Sequence, residues 1–133
     1  MEIREYTPFQ REEIVNLYES VGWMNYLKRS EVLESAYVNS LCVLGAYEDN
    51  RLVGIIRAVG DGHTIVFVQD IMVLPEYQGK GIGTKLLKAV MEKYSNVYQM
   101  ELLTDNTEKT KAFYRSAGFT ASEDMGCVAF IRM

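Results

Sequence analysis

The chain has 133 residues, a formal net charge of −4 and a hydrophobic fraction of 48%. This length is typical of one domain, so a single domain over residues 1–133 is expected. No apolar run approaches the ~20 residues that a membrane-spanning helix needs, and residues 1–5 lack an apolar signal region. A cytoplasmic protein with no membrane partner is therefore expected. The net negative charge and the lack of a basic patch in the sequence argue against a nucleic-acid partner.

The first half of the chain alternates between the periodicities of strands and helices. A short strand is predicted over residues 2–6. Thr7-Pro8-Phe9-Gln10 then has the pattern of a helix N-terminal capping box, with proline at the first helical position. An apolar stripe predicts a helix after it, and a second helix is predicted over residues 31–38. Three strands are predicted to follow, over residues 41–47, 52–59 and 64–74.

The second half continues the alternation. A helix is predicted after a glycine-rich segment, then a strand over residues 97–103. Asp105 and Glu108 have the spacing of a capping box for the next helix, which should end at Gly118. A last strand is predicted over residues 126–132. The order β-α-α-β-β-β-α-β-α-β predicts an α/β fold, in which a mixed central sheet is flanked by about four helices.

The chain has two cysteines and one histidine. Cys42 and Cys127 lie in apolar stretches without metal-like or redox-motif spacing, so both are expected to be buried and reduced. The single histidine, His63, excludes a His-rich metal site, and no metal is expected. His63 is interpreted either as a surface turn residue or as a base near a substrate.

The segment before the third predicted helix carries three glycines at alternate positions, Gly79, Gly81 and Gly83. Glycine lets backbone approach a ligand closely, and a helix that begins there directs free N–H groups and the positive end of its dipole into the same space. This geometry suits a phosphate, although a tight turn without a ligand is the alternative. The spacing fits neither a P-loop nor G-x-G-x-x-G. It fits Q-x-x-G-x-G, beginning at Gln78.

This pattern resembles the pyrophosphate loop of the GNAT superfamily of N-acetyltransferases, which binds the diphosphate of acetyl-coenzyme A. A second segment, residues 112–119, reads A-F-Y-R-S-A-G-F and is similar to that family's F-Y-x-x-x-G-F helix. The order of the two motifs and the pattern of elements match the family from end to end. The resemblance implies the GNAT acyltransferase fold, and an enzyme that uses acetyl-coenzyme A as its co-substrate.

The resemblance also implies which residues hold the co-substrate. The pyrophosphate would lie on the backbone of the loop, namely Gln78, Gly79, Lys80, Gly81, Ile82, Gly83 and Thr84. Backbone at Ile71, Met72 and Val73 would pair with the pantetheine arm, and the N–H of Val73 would donate to the oxyanion. The family's cofactor-contacting asparagine corresponds here to Thr107, so the neighbouring Asn106 is a looser expectation.

Four residues are expected to act on the reaction or on the acceptor. The resemblance implies that Tyr114 is the general acid, since it stands at the tyrosine of the F-Y-x-x-x-G-F helix. A phenol is still protonated at neutral pH, which suits that role; packing beside Phe113 is the alternative. Asp70 lies in an apolar run, where an unpaired carboxylate is costly to bury. It is expected to be solvated at a cleft, paired, or functional by ordering or deprotonating the substrate ammonium. The resemblance places Trp23 and Tyr26 in the acceptor pocket, with core packing as the alternative.

The expected reaction is direct attack by a small primary amine on the thioester, without an acyl-enzyme. Residues 20–23, together with the Asp70 strand, loosely resemble bacterial and plant aralkylamine-type acetyltransferases. An arylalkylamine, a polyamine, an aminoglycoside-like compound and a protein N-terminus remain open as acceptors. A non-catalytic acyl-coenzyme A sensor, and an α/β domain that binds another phosphate, are the alternatives. Exposed strand edges would be compatible with a homodimer.

Overall fold

The computed structural model describes residues 1–133. The chain forms two compact units, Met1–Leu102 and Leu103–Met133. The first unit contains a five-stranded sheet in the order β1-β2-β3-β4-β5. Its strands are Glu2–Glu5, Cys42–Glu48, Arg51–Gly60, Ile65–Val73 and Gln99–Leu102. The first four are antiparallel to their neighbours, whereas β5 is parallel to β4. The predicted mixed sheet of the α/β class is confirmed.

Three α-helices belong to the first unit: α1 at Arg11–Ser20, α2 at Leu33–Val38 and α3 at Ile82–Lys93. The second unit contains α4 at Glu108–Ser116, and the positive φ of +101° at Gly118 agrees with the predicted end of that helix. The sequence predicts one helix over residues 31–38. In the structure a 3-10 helix at Tyr26–Val32 comes first, and α2 begins after it at Leu33. None of these helices has the length and apolar character that crossing a bilayer requires.

Helices cover both faces of the sheet. On one face, the Asp70 side chain of β4 is hydrogen-bonded to Tyr18 of α1. On the other, a Cβ added to Gly54 of β3 would stand 3.3 Å from the side chains of Ile82 and Leu86 in α3. Glycine at position 54 therefore lets α3 pack closely on the sheet. Between these layers lie the fully buried apolar side chains Ile14, Leu17, Val53, Ile55, Ile56, Val66, Leu86 and Val90.

The two predicted capping boxes are both wrong. Helix α1 begins at Arg11, and the phenol of Tyr6, rather than the Thr7 hydroxyl, accepts the N–H of Gln10 at 3.0 Å. In the second unit, the Thr107 hydroxyl accepts the N–H of Thr110 at 3.2 Å, so Thr107 caps α4. In each case a neighbouring oxygen is positioned to accept the free N–H group, which a local sequence pattern does not reveal.

The predicted last strand, residues 126–132, is also wrong. A 3-10 helix at Ser122–Met125 ends at Gly126, and the residues after it form no strand. A strand needs a neighbour to receive its backbone hydrogen bonds, and this segment has none in the single chain. Cys127 is consequently exposed, against the prediction, whereas Cys42 is buried as expected; both thiols are free.

Gly60, at the end of β3, should be essential for stability. Its φ is +134°, and an added Cβ would stand 2.3 Å from the carbonyl oxygen of Ile65. Gly22 is the matched control, because its φ is +78° and nothing lies within 4 Å of an added Cβ. We expect Gly60→Ala to lower the free energy of unfolding by about 3 kcal/mol, and Gly22→Ala by about 1 kcal/mol. Urea unfolding measures both, and equal losses would contradict the clash at Gly60.

Candidate active site

The loop between β4 and α3 has the geometry of an anion-binding site. Gly79 has a φ of +78° and Gly81 a φ of +82°, and an added Cβ at either position would meet nothing within 4 Å. Gly81 occupies the N-cap position of α3, and no side chain caps the N–H groups of the first turn. Uncapped N–H groups beside open space, at the positive end of a helix dipole, favour an anion.

The other loop residues differ in what they contribute. The side-chain amide of Gln78 donates to the carbonyl oxygen of Val73 at 3.0 Å, which ties the loop back to the end of β4. The Lys80 ammonium lies 5.2 Å from the centre of the Tyr77 ring and places a positive charge at the loop. The side chain of Ile82 is buried in the core, so only its backbone can contact a ligand. Gly83 and Thr84 lie within the first turn of α3.

The second half of β4 has an open side. The pairing of β4 with β5 runs only from Ile65 to Val68, whereas β4 continues to Val73. Leu74 donates its N–H to the carbonyl oxygen of Val53 in β3 at 2.9 Å. Since alternate residues of a strand direct their N–H groups to opposite sides, Met72 faces β3, whereas Ile71 and Val73 face the open side. Backbone donors of β4 are thus free on the side that the loop adjoins.

Asp70 is the centre of a buried polar cluster. The carboxylate is 1% exposed, and its Oδ2 atom accepts hydrogen bonds from Arg57 Nε at 2.6 Å and from the Tyr18 hydroxyl at 2.8 Å. The Tyr37 hydroxyl lies 3.0 Å from that of Tyr18. Asp70 is therefore paired, which is one of the three situations expected for it. Its second oxygen, Oδ1, is buried without a hydrogen-bond partner in the chain.

Burial and charge hold the two phenols and the guanidinium of this cluster each in one protonation state. Burial, and then the Asp70 charge, raise the pKa of the Tyr18 hydroxyl and of the Tyr37 hydroxyl well above the usual value. Burial lowers the pKa of Arg57, but the charge and hydrogen bond of Asp70 outweigh it, and the net shift is upward. The two phenols thus remain donors and Arg57 remains a cation at neutral pH.

The aromatic residues expected to line an acceptor pocket adjoin this cluster. The Tyr26 ring stacks on Tyr18 with centroids 4.8 Å apart, and Trp23 lies on the same ring at 6.4 Å. Trp23 is 38% exposed and Tyr26 is half-buried, so neither is a core residue. The Tyr26 hydroxyl accepts a hydrogen bond of 2.6 Å from the side-chain amide of Gln69.

Gln69 and Arg57 are members of this site that sequence reasoning missed. Asp70 pairs with Arg57 and Val68 with Ala58, so Gln69 is an extra residue of a β-bulge and has no partner on β3. Bulges reorient side chains and are frequent beside active sites. The available signal was Arg57 itself, since an arginine inside an apolar strand needs a buried anion. No sequence pattern marked the bulge.

Tyr114 and Asn106 belong to the second unit. The Tyr114 ring makes edge contacts with Phe113 and Phe119, at centroid distances of 5.0 and 6.0 Å. Burial raises its pKa above that of an ordinary phenol, against the opposing hydrogen bond with Thr104. Tyr114 is therefore protonated at neutral pH, as a general acid must be. Asn106 is exposed just before α4.

His63 lies in a surface turn, where its backbone N–H donates to the Asp61 carboxylate at 2.7 Å. This position agrees with the surface-turn interpretation rather than with a base beside the acceptor. A hydrogen bond from the Thr64 hydroxyl and three from backbone N–H groups lower the pKa of Asp61 far below its usual range. No group of three or more His, Cys, Asp or Glu side chains is arranged to hold a metal ion.

The loop, the open strand and the overall topology can be compared with known proteins. The acetyltransferase (GNAT) domain family matches residues 39–121 of the chain. The chain belongs to the GNAT family of acetyltransferases. The predicted family, and an N-acetyltransferase as the type of enzyme, are thereby confirmed.

Relatives with solved structures extend over nearly the whole chain. A GNAT family acetyltransferase from Streptococcus pneumoniae is 40% identical with a TM-score of 0.89, covering 99% of this chain and 96% of that one. A probable acetyltransferase of unknown function from Staphylococcus aureus is 26% identical with a TM-score of 0.81, covering 99% and 98%. An uncharacterized N-acetyltransferase from Prochlorococcus marinus is 31% identical over 81% of this chain. The chain spans only 61% of that relative's length.

The Arg57–Asp70 pair should contribute strongly to stability. Asp70→Asn removes the anion and leaves the Arg57 guanidinium buried without its counter-charge, so we expect the free energy of unfolding to fall by about 3–5 kcal/mol. Glu5→Gln is the control, because Glu5 pairs with Lys93 at 3.7 Å on the surface. Its loss should cost less than about 1 kcal/mol. Chemical denaturation measures both variants, and similar small losses would contradict the structural role of Asp70.

Proposed function

We propose that this chain transfers the acetyl group of acetyl-coenzyme A to a small primary amine. The observation that carries the proposal is the open, uncapped start of α3 at Gly79–Gly81, directly after a strand whose open side keeps free N–H groups. Together these features offer anion-binding and carbonyl-binding donors along one continuous stretch of backbone. Acetyl-coenzyme A requires both, because it joins a diphosphate to a thioester through an amide-containing arm.

The residues of the loop fit the diphosphate. An added side chain at Gly79 or Gly81 would occupy the open space next to the backbone, so glycine keeps that space available. The N–H groups of the first turn of α3 would donate to phosphate oxygens, and Lys80 would add a positive charge. The Gln78 side chain supports the loop by its bond to Val73 rather than by reaching the ligand.

The open side of β4 fits the acyl arm. The N–H groups of Ile71 and Val73 would pair with the amides of the arm, and that of Val73 would donate to the thioester oxygen. A fixed N–H donor at this oxygen stabilises the negative charge that develops as the amine attacks. Met72 directs its N–H toward β3, so we assign it a packing role beside the arm.

The aromatic group formed by Trp23 and Tyr26 is the proposed acceptor pocket. Partly exposed aromatic rings next to a buried carboxylate suit an amine with an apolar body, such as an arylalkylamine, and a polyamine is the other class that we propose. Gln69, on the bulge, would orient the acceptor together with the Tyr26 hydroxyl. Asp70 is too deeply buried for direct contact, so we propose that its free Oδ1 atom acts through a water molecule to order the ammonium.

Tyr114 is the proposed general acid. A phenol whose pKa is raised by burial keeps its proton at neutral pH and can deliver it to the departing thiolate. Asn106 is proposed as a further co-substrate contact. We propose the cytoplasm as the location, since two free cysteines agree with a reducing compartment.

The first experiment is thiol release from acetyl-coenzyme A with a panel of acceptors: aryl-substituted alkylamines, polyamines, an aminoglycoside and a peptide with a free N-terminus. Release with the first or second class, dependent on the amine, is the expected result. Calorimetry of acetyl-coenzyme A binding accompanies the assay. Binding without release for any acceptor would favour a non-catalytic sensor, and absence of binding would overturn the proposed loop site.

Tyr114→Phe tests the proposed acid once an acceptor is known. The substitution removes one hydroxyl and retains the ring contacts, so we expect kcat to fall at least ~100-fold while the Kd for acetyl-coenzyme A changes little. Tyr98→Phe is the matched control, because Tyr98 is 81% exposed and is not one of the proposed site residues. Unchanged kcat in Tyr114→Phe would remove the assignment.

A further inference from the structure

A cavity of about 290 Å³ lies outside the proposed active site. It is formed within the first unit by the end of β1, the beginning of β2, helix α2 and the last residue of α3. No residue of the glycine loop, of β4 or of the Trp23–Tyr26 group lines it. Small-molecule sites enclose about 300–1,000 Å³, so this cavity is at the lower end of that range and suits a ligand of amino-acid size.

The inner wall of the cavity is aromatic. Tyr6, Phe9 and Tyr37 line it, and the side chains of Tyr6 and Tyr37 are buried. The Phe9 ring is tilted against Tyr37 with centroids 5.5 Å apart, and Tyr6 meets Tyr37 edge-on at 6.5 Å. A further ring in tilted or edge-on contact gains stabilisation beyond the area that it buries. The interior therefore favours a ligand with an aromatic body over an aliphatic one.

Two of these rings are held in place by hydrogen bonds of their hydroxyl groups. The Tyr6 phenol accepts the N–H of Gln10 at 3.0 Å, and the Tyr37 hydroxyl lies 3.0 Å from that of Tyr18. The Arg57 guanidinium also lies over the Tyr37 ring, with its central carbon 5.1 Å from the ring centroid. The cavity is thus preformed, and a ligand would lose little affinity to rearrangement of its walls.

Opposite charges stand at the exposed rim of the cavity. Glu5 and Lys93 both line it, and their side chains are 75% and 44% exposed. Glu5 Oε1 and Lys93 Nζ are 3.7 Å apart, which is longer than the roughly 2.7–2.9 Å of a charge-assisted hydrogen bond. An exposed pair of this kind contributes little to stability. Each charge can therefore bind a ligand group of the opposite sign without the loss of a strong bond.

We infer that this cavity binds a free amino acid with an aromatic side chain. The ring would lie among the three aromatic residues of the inner wall, the ammonium would bind Glu5 and the carboxylate would bind Lys93. The two ligand charges are joined through a single carbon, so they match two protein charges that are also adjacent. An amine or an acid alone would compensate only one of them. The cavity and its ligand are independent of the proposed acetyl transfer.

The first test is calorimetric titration with L-phenylalanine and three matched compounds. Phenethylamine lacks the carboxylate, 3-phenylpropionate lacks the ammonium, and L-leucine replaces the ring by an aliphatic group. We expect L-phenylalanine to bind at least ~10-fold more tightly than phenethylamine or 3-phenylpropionate, and several-fold more tightly than L-leucine. Absence of saturable binding of L-phenylalanine at millimolar concentration, or equal affinity for any of the three matched compounds, would overturn the inference.

Variants of the rim test the two charges. Glu5→Gln and Lys93→Gln should each raise the Kd for L-phenylalanine at least ~10-fold, whereas 3-phenylpropionate should bind Glu5→Gln at least as tightly as the unmodified chain. Lys88→Gln is the control, because Lys88 is an exposed lysine of the same helix, α3, that does not line the cavity. Circular dichroism should show all three variants folded. An unchanged Kd in either rim variant, or an equal loss in the control, would contradict the assigned contacts.

Amide chemical shifts locate the bound amino acid. On titration with L-phenylalanine, without acetyl-coenzyme A, the amides of Phe9, Leu41 and Lys93 should shift with the same Kd as in calorimetry. Shifts confined to Trp23 and Gln69 would place the compound in the proposed acceptor pocket and overturn the second site. Because this measurement needs neither co-substrate nor turnover, its failure and the failure of the proposed acetyl transfer are distinguishable.

Discussion

The buried pair of Arg57 and Asp70 organises the first unit. These two charges join neighbouring strands on one face of the sheet, and the same carboxylate binds Tyr18, which connects to Tyr37 of the next helix. A buried ion pair adds little net stability over apolar packing, but either member alone would be very costly. The cluster connects β3, β4, α1 and α2 through side chains, and Trp23 and Tyr26 pack on the ring of Tyr18, one of its members.

Separation of two parallel strands provides the other half of the proposed site. The β4–β5 ladder stops at Val68, so the rest of β4 presents donors that a continuous sheet would consume. The chain then turns through the glycine loop into α3, whose uncapped first turn adds more donors. Binding groups come from backbone in both places. Side-chain variation there would therefore leave the proposed binding of acetyl-coenzyme A intact, provided that Gly79 and Gly81 keep their positive φ values.

Local patterns predicted the elements that depend on local physics. The glycine loop, the amphipathic α3 and the left-handed Gly118 were readable because spacing and conformational preference act over a few residues. Features that join distant parts of the chain were not. The Tyr6 phenol that receives the Gln10 N–H, the bulge at Gln69 and the Arg57–Asp70 register each depend on tertiary packing. The prediction of a last strand is wrong for a related reason. Residues 127–133 have strand character, but a local sequence pattern does not supply a neighbouring strand for them to pair with.

The bulge at Gln69 separates the requirements of strand pairing from those of the proposed acceptor pocket. A residue within a regular ladder is constrained by the side chain opposite to it, but Gln69 has no opposite residue on β3. Its exposed side chain touches Tyr26 instead, so replacement there leaves the Arg57–Asp70 register unaltered. Descendants of this sequence can change position 69 in a single step without rebuilding the sheet. A change at position 69 would thus alter the surroundings of the Tyr26 hydroxyl while the pairing of β3 with β4 stays in place.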